Sequence, residues 1–186
     1  SDVCSSDLLP LYRLKQLLET DKPILFAEGE SSADSAQKLF EDHFVTTYVC
    51  GKSSYQMSDL SVLKGREVKL WADSDNDGKG LVAYTNFALH LKEEHGVIAK
   101  LVPIPTYDEI QNYYKNRFVK NAWDLADDIP KEINVRELLE KAKEIGADAI
   151  IYEQQAERTA AGGAFVGGVL IQDTKASFRV TAIRFK

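Results

Sequence analysis

The stretch Val68–Gly80 reads VKLWADSDNDGKG, in which a short apolar run is followed at once by acidic residues. The run predicts a buried strand over Val68–Ala72. Asp73, Asp75 and Asp77 come directly after this strand. Carboxylates this close repel one another unless a cation neutralises them, and hard oxygen ligands suit Mg²⁺ or Mn²⁺. The stretch therefore predicts a strand that ends at a divalent-metal site.

Two other motifs in this part of the chain resemble ligand-binding loops, but each lacks a required residue at a fixed position. DSDNDG matches the first six positions of an EF-hand calcium loop, but position twelve is Tyr84 where that loop has a bidentate glutamate. GKS at residues 51–53 matches the end of a P-loop, but Thr46 stands where that motif has its first glycine. A polar turn without a ligand stays open as an alternative for the aspartates.

Strands and helices alternate along the first two thirds of the chain. Amphipathic spacing predicts helices over 9–19 and 80–95, and Ser31 followed by Asp34 predicts the start of a third one. Short loops between strands and helices favour a parallel sheet with helices on its faces, so the predicted class is α/β with about four parallel strands. The four predicted strands cover residues 23–27, 45–50, 68–72 and 97–105.

The two ends of the chain depart from this pattern. Asp2–Leu8 reads DVCSSDL, the translation of a common sequencing-library adapter, so we expect residues 1–8 to be a non-native tail. Residues 131–186 are expected to form a small α+β appendage, either an accessory domain or a segment joined from another gene. In this appendage we predict a helix over 134–145, strands over 147–155 and 178–185, and a glycine-rich loop over 160–168.

The composition is that of an ordinary globular protein, with 44% hydrophobic and 28% charged residues. The net charge of −6 does not attract nucleic acid, so such a partner must meet a local basic patch or bridging metal ions. Cys4 and Cys50 are too few for a four-ligand zinc site. No apolar run reaches the length of a membrane span. We therefore expect a cytoplasmic protein without a membrane partner.

Acidic residues follow two of the predicted strands. Glu28 and Gly29 follow the first strand, while Asp73, Asp75 and Gly78 follow the third. Open α/β sheets bind ligands at the carboxyl ends of their strands, and the glycines let backbone approach closely. Magnesium held by few carboxylates shares its coordination shell with phosphates. The pattern therefore predicts a site for phosphoryl chemistry.

The order of these two motifs resembles the Toprim domain, in which a glutamate–glycine pair follows one strand and D-x-D-x-x-G follows a later one. AEGESSADSA at 27–36 and WADSDNDGKG at 71–80 carry this resemblance. The flanking segments LPLYRLKQLLE, LKGREVKLWADSD and AWDLADD are similar to the primases and primase-helicases of phages and mobile elements. The resemblance covers residues 9–130 and implies a Rossmann-like Toprim fold there.

The resemblance also implies roles for the residues that match the motif. Glu28, Asp73 and Asp75 would be the catalytic and metal-binding residues, with Mg²⁺ or Mn²⁺ as the cofactor. Supporting roles at the same edge of the sheet would fall to Gly29, Asp34, Asp77 and Gly78, although Asp34 is also expected to cap its helix.

Four basic residues are candidates for binding nucleotide or nucleic acid: Lys79, Lys115, Arg117 and Lys120. Lys79 follows the aspartates, where it would meet a phosphate. The other three alternate with aromatic residues, a pattern that binds nucleic acid by charge and stacking. A solvated basic face gives the same pattern and stays open as the alternative.

Taken with its flanks, the resemblance implies the Toprim catalytic domain of a DNA primase, a magnesium-dependent nucleotidyltransferase that makes RNA primers in DNA replication. Its partners would be single-stranded DNA, nucleoside triphosphates and a helicase domain or subunit. The alternatives are another Toprim enzyme (a topoisomerase or a nuclease) and a degenerate module that binds nucleic acid or a partner without catalysis. A primase needs further domains, so we expect this chain to act within a larger protein and to be inactive alone.

Overall fold

The computed structural model describes residues 8–49, 54–115, 117, 120–144, 157–158, 164–166 and 169–171. These residues belong to two compact units, the first ending at Glu144 and the second beginning at Ile145. None of the helices in the described ranges has the length and apolar character of a membrane span. The expected non-native tail lies outside the described residues except for Leu8.

The first unit is built on a parallel sheet. Its strands are β1 (Ile24–Ala27), β2 (Phe44–Thr46), β3 (Val68–Trp71), β5 (Ala99–Leu101) and β7 (Lys143–Glu144). The order across the sheet is β2-β1-β3-β5-β7; the first four run parallel, and β7 is antiparallel to β5. A separate antiparallel pair joins β4 (Ser74–Asp75) to β6 (Ala122–Trp123). The predicted α/β class with four parallel strands is thus confirmed, in a Rossmann-like arrangement.

Helices cover both faces of this sheet. They are α1 (Leu14–Leu18), α2 (Glu30–Leu39), α3 (Lys79–His95), α4 (Tyr107–Tyr113) and α5 (Val135–Glu140). On one face, Leu25 of β1 belongs to the same buried cluster as Ala33 and Ala36 of α2. On the other, the ring of Phe26 lies 5.1 Å from that of Phe87 in α3. Because successive strand residues point to opposite faces, α2 and α3 lie on opposite sides of the sheet.

The helix α2 begins within one residue of the start predicted at Ser31. Gly29 precedes the helix with a φ of 85°, and no side chain caps the first turn. The capping role expected of Asp34 is therefore wrong. The carboxylate of Asp34 instead accepts hydrogen bonds from the Tyr12 hydroxyl at 3.0 Å and from the Arg13 guanidinium at 2.5 Å. A partner distant in sequence thus replaces the local bond that the motif implied.

The helix predicted over 134–145 is shorter in the structure, because the chain leaves α5 to enter β7. Asn134 caps the helix by accepting a hydrogen bond from the Glu137 N–H at 3.2 Å. Arg136 donates to the Leu39 carbonyl at 2.9 Å, and Leu139 is buried in the main core. These contacts extend the first unit beyond the boundary expected at Pro130.

The second unit has a three-stranded antiparallel sheet among its described residues. Its strands are β8 (Glu157–Arg158), β9 (Ala164–Val166) and β10 (Val169–Ile171), with β9 in the centre. Because β9 falls inside the segment expected to be a glycine-rich loop, that loop prediction is wrong for Ala164–Val166. The strands predicted over 147–155 and 178–185 lie outside the described residues.

Candidate metal and nucleotide site

The two acidic motifs meet at the carboxyl edge of the parallel sheet. Glu28 follows β1 and Asp73 follows β3, and these strands are direct neighbours. Ala27 pairs with Trp71, so the register brings Glu28 level with Ala72. Both carboxylate oxygens of Glu28 are buried, although the residue as a whole is only half-buried. The structure therefore brings Glu28 and Asp73 to one edge, as the sequence predicted.

Asp75 is held in place by backbone contacts on two sides. It lies in β4, where it pairs with Ala122 of β6. Its Oδ2 accepts a hydrogen bond from the Gly80 N–H at 2.7 Å, in the first turn of α3. Such a bond satisfies one of the free N–H groups that begin a helix, and the positive end of the helix dipole favours the carboxylate. Asp75 thus links the acidic loop to α3.

Gly80 fits this site because it has no side chain. A Cβ added there would lie 2.9 Å from the Asp73 carbonyl oxygen and 3.3 Å from Asp75 Oδ2. A contact of that length with backbone forces the loop to move. The close approach of α3 to the acidic loop therefore requires glycine at this position.

The exposed part of the loop carries Asp77, Gly78 and Lys79. Gly78 precedes α3 with a φ of 70°, a left-handed conformation that favours glycine. Asp77 accepts a hydrogen bond from the Lys79 N–H at 3.3 Å and forms an ion pair with the Lys79 ammonium. The Lys79 side chain is 77% exposed. A surface pair of this kind contributes little stability, so Lys79 can exchange Asp77 for a phosphate at small cost.

Two buried tyrosines lie near these carboxylates, and neither stands out in the sequence. Tyr48, just after β2, is 4% exposed, and Tyr84 of α3 is fully buried. Burial raises the pKa of both phenols, and the negative charges of Glu28 and Asp73 raise it further. Both phenols are therefore protonated at neutral pH. In the sequence, Tyr48 reads as a strand residue and Tyr84 as a core helix residue, so neither carried a functional signal.

The predicted supporting residues of α2 take different positions. The Gly29 N–H donates to the Thr47 hydroxyl at 3.3 Å, which ties the end of β1 to the end of β2. Asp34 is turned to Arg13, whose backbone is left-handed with a φ of 57°. Gly29 thus belongs to the sheet edge that carries Glu28, while Asp34 joins α2 to the segment before α1.

The basic candidates after α4 lie on the surface. Lys115 and Arg117 are exposed, and Lys115 has a left-handed φ of 54°. Lys120 forms an ion pair with Asp127, whose side chain is 9% exposed. The hydrogen bond that the Lys120 ammonium donates to this carboxylate raises the pKa of Lys120. The exposure of Lys115 and Arg117 agrees with binding to nucleic acid and equally with a solvated basic face. Lys120 differs from them because it is paired with Asp127.

The edge of the sheet supplies some, but not all, of the oxygen ligands that a hard divalent cation needs. In the portion of the chain that the structure describes, no three His, Cys, Asp or Glu side chains converge in a metal-holding group. Magnesium in proteins usually binds one or two carboxylates and completes its shell with water and phosphate. The carboxylates of Glu28 and Asp73, on neighbouring strand ends, are suited to that mode.

Comparison with known proteins finds no matching family model, no matching curated protein and no matching solved structure. The function of the chain is therefore inferred from the residues and geometry of this site.

Proposed function

We propose that residues 9–130 are a Toprim-type catalytic domain of a DNA primase of the primase-helicase kind. Such a domain would join nucleotides into RNA primers on single-stranded DNA, within a larger cytoplasmic replication protein with a helicase domain or subunit. The observation that supports this proposal best is the placement of Glu28 and Asp73 at neighbouring ends of parallel strands. Sheets of this class bind their ligands at that edge.

The residues at the carboxyl edge of the sheet would have different roles in binding the cation and the phosphates. Glu28, Asp73 and Asp75 would hold Mg²⁺ or Mn²⁺, which neutralises charge on phosphates and orients an attacking hydroxyl when bound. Asp75 is already fixed by the Gly80 N–H, so its carboxylate keeps one orientation. Lys79 would bind a phosphate of the incoming nucleotide, and the exposed Lys115 would contact the template backbone by charge.

Titration of a nucleoside triphosphate into the whole chain tests this proposal. We expect binding that requires Mg²⁺ and that weakens about tenfold or more in Glu28→Gln, equivalent to about 1.4 kcal/mol. The reason is that Glu28 would share the cation with the triphosphate. Glu30→Gln is the matched control, because it removes the same charge from an exposed position two residues further on. Calorimetry measures both affinities.

Metal binding without any triphosphate binding would contradict the primase assignment. It would favour a topoisomerase or a nuclease, which act on an existing phosphodiester. Equal triphosphate affinity in the wild type and Glu28→Gln would remove Glu28 from the site.

A further inference from the structure

We propose that His90 and His95, near the end of α3, form a second metal site that binds Zn²⁺ through their two imidazole rings. This pair lies away from the acidic edge of the sheet. Lys79 begins α3 beside the aspartates, and His95 ends the helix about 24 Å further along, at about 1.5 Å per residue. A zinc site here is therefore independent of the proposed function.

The two imidazole rings are in contact. Their centres are 5.5 Å apart, and the ring planes form an angle of 69°. Two imidazoles bound to one tetrahedral Zn²⁺, with Zn–N bonds of about 2.0–2.1 Å, have their ring centres roughly 5–5.5 Å apart. The rings of His90 and His95 are thus already at the separation that a shared ion requires. Rotation about the Cβ–Cγ bond turns a nitrogen of each ring toward such an ion with little displacement of the ring centre.

The ring nitrogens of this pair are uncommitted. Among the residues that the structure describes, none forms a hydrogen bond or an ion pair with the imidazole of His90 or His95. The third histidine of the chain differs, because the Nε2 of His43 lies 3.3 Å from the Lys69 ammonium. His90 and His95 are both half-buried, so part of each ring stays open to solvent. A metal ion binds imidazole through such a free nitrogen.

The surroundings restrain one ring and favour a cation at the other. The ring of Tyr55 packs against His90, with 5.3 Å between the ring centres. This contact limits the positions that the His90 side chain can take. His95 lies in the last turn of α3, where the negative end of the helix dipole stabilises a positive charge.

The donor atoms determine which metal the pair would bind. Imidazole nitrogen suits Zn²⁺, whereas Mg²⁺ and Mn²⁺ prefer oxygen ligands such as those at the acidic edge of the sheet. No third His, Cys, Asp or Glu side chain from the described ranges joins the two imidazoles in a metal-holding group. Water would therefore complete the tetrahedral coordination of the ion.

Zn²⁺ titration of the whole chain, followed by NMR of the three histidine rings, tests this site. We expect the resonances of His90 and His95 to shift together along one saturation curve, while those of His43 stay in place. In His90→Gln the response of the His95 ring should weaken at least about tenfold, and His95→Gln should weaken that of His90 equally. The reason is that losing even an outer partner of a metal ligand typically costs about 10- to 100-fold in affinity.

Lys92→Gln is the matched control. It changes an exposed residue in the same last turn of α3 and leaves both imidazoles intact. We expect this variant to bind Zn²⁺ as the wild type does. A urea midpoint for each variant separates the loss of a ligand from a loss of folding.

Two results would overturn the shared site. Separate saturation curves for the two rings, or an unchanged His95 response in His90→Gln, would show two independent surface histidines. Rings that do not respond to Zn²⁺ would exclude the pair as ligands, even where calorimetry detects zinc bound elsewhere on the chain. Mn²⁺ binding, which concerns the proposed function, is expected to be the same in both histidine variants and the wild type.

Discussion

Replacing Trp123 by alanine is expected to lower the free energy of unfolding by about 3–5 kcal/mol, the usual cost of removing a large aromatic side chain from a core. Trp123 is fully buried in the same cluster as Trp71 and Phe40. Its indole N–H donates to the Asp128 carbonyl at 3.1 Å. Urea denaturation followed by circular dichroism measures the change.

The same substitution is expected to loosen the acidic loop. Trp123 lies in β6, whose pairing with β4 holds Ser74 and Asp75. Trp123→Phe is the control, because it keeps most of the buried volume and loses the single N–H donor. It should cost clearly less than the alanine variant. A loss of under about 1 kcal/mol in Trp123→Ala would show that Trp123 is not part of a packed core.

Gly80→Ala is expected to displace the acidic loop and to weaken Mn²⁺ binding about tenfold or more. The added Cβ would lie 2.9 Å from the Asp73 carbonyl oxygen. Overpacking of this kind costs about 1–3 kcal/mol, while alanine gains at most about 1 kcal/mol over glycine in a helix. The clash therefore outweighs the helix propensity, and we expect a net destabilisation of up to about 2 kcal/mol.

Gly96→Ala is the control for this prediction. Gly96 ends α3 in a left-handed conformation with a φ of 66°, and an added Cβ there meets no atom within 4 Å. The strained backbone should cost about 1–2 kcal/mol and leave metal affinity unchanged, because Gly96 is at the other end of the helix. Equal Mn²⁺ affinity in Gly80→Ala and the wild type would show that Gly80 is not part of the site.

The parallel sheet could be predicted because its signal is local. Each of the four strands is a short apolar or β-branched run, as in PILFA and VKLWA, and the segments between them carry helical periodicity. This alternation leaves few topologies besides a parallel sheet. The edge that carries Glu28 and Asp73 followed from the same reasoning, since parallel strands end on the same side.

The errors arose where contacts distant in sequence decide the structure. In the sequence, Asp34 stands where a helix-capping residue is expected, but its carboxylate accepts hydrogen bonds from Arg13 and Tyr12 instead. The chain after Glu140 has helical periodicity, but pairing with β5 draws Lys143–Glu144 into the sheet. In both cases the free energy of a tertiary contact exceeds a local preference. The loop suggested by the glycines around Ala164–Val166 is an error of another kind, because that segment pairs with Val169–Ile171, which is close to it in sequence.

For a related reason, only some residues of the site could be predicted from the sequence. Charged motifs such as Glu28–Gly29 and the alternating aspartates stand out in a sequence because their spacing is unusual. Tyr48 and Tyr84 do not, because a buried aromatic residue in a strand or a helix is ordinary core. Their proximity to Glu28 appears only once the register of β1 and β2 and the packing of α3 are known.

Titration of Mg²⁺ or Mn²⁺ into the whole chain and into the Asp73→Asn/Asp75→Asn variant, by calorimetry, tests whether the end of β3 is a metal site. Glu19→Gln/Asp21→Asn is the matched control, because it removes the same charge from exposed residues ahead of β1, at the opposite edge of the sheet. We predict saturable binding in the wild type and the control, and its loss in Asp73→Asn/Asp75→Asn. Equal binding in all three proteins, or none in the wild type even with a nucleoside triphosphate present, would contradict a metal site at the end of β3 and leave the aspartates as a polar turn.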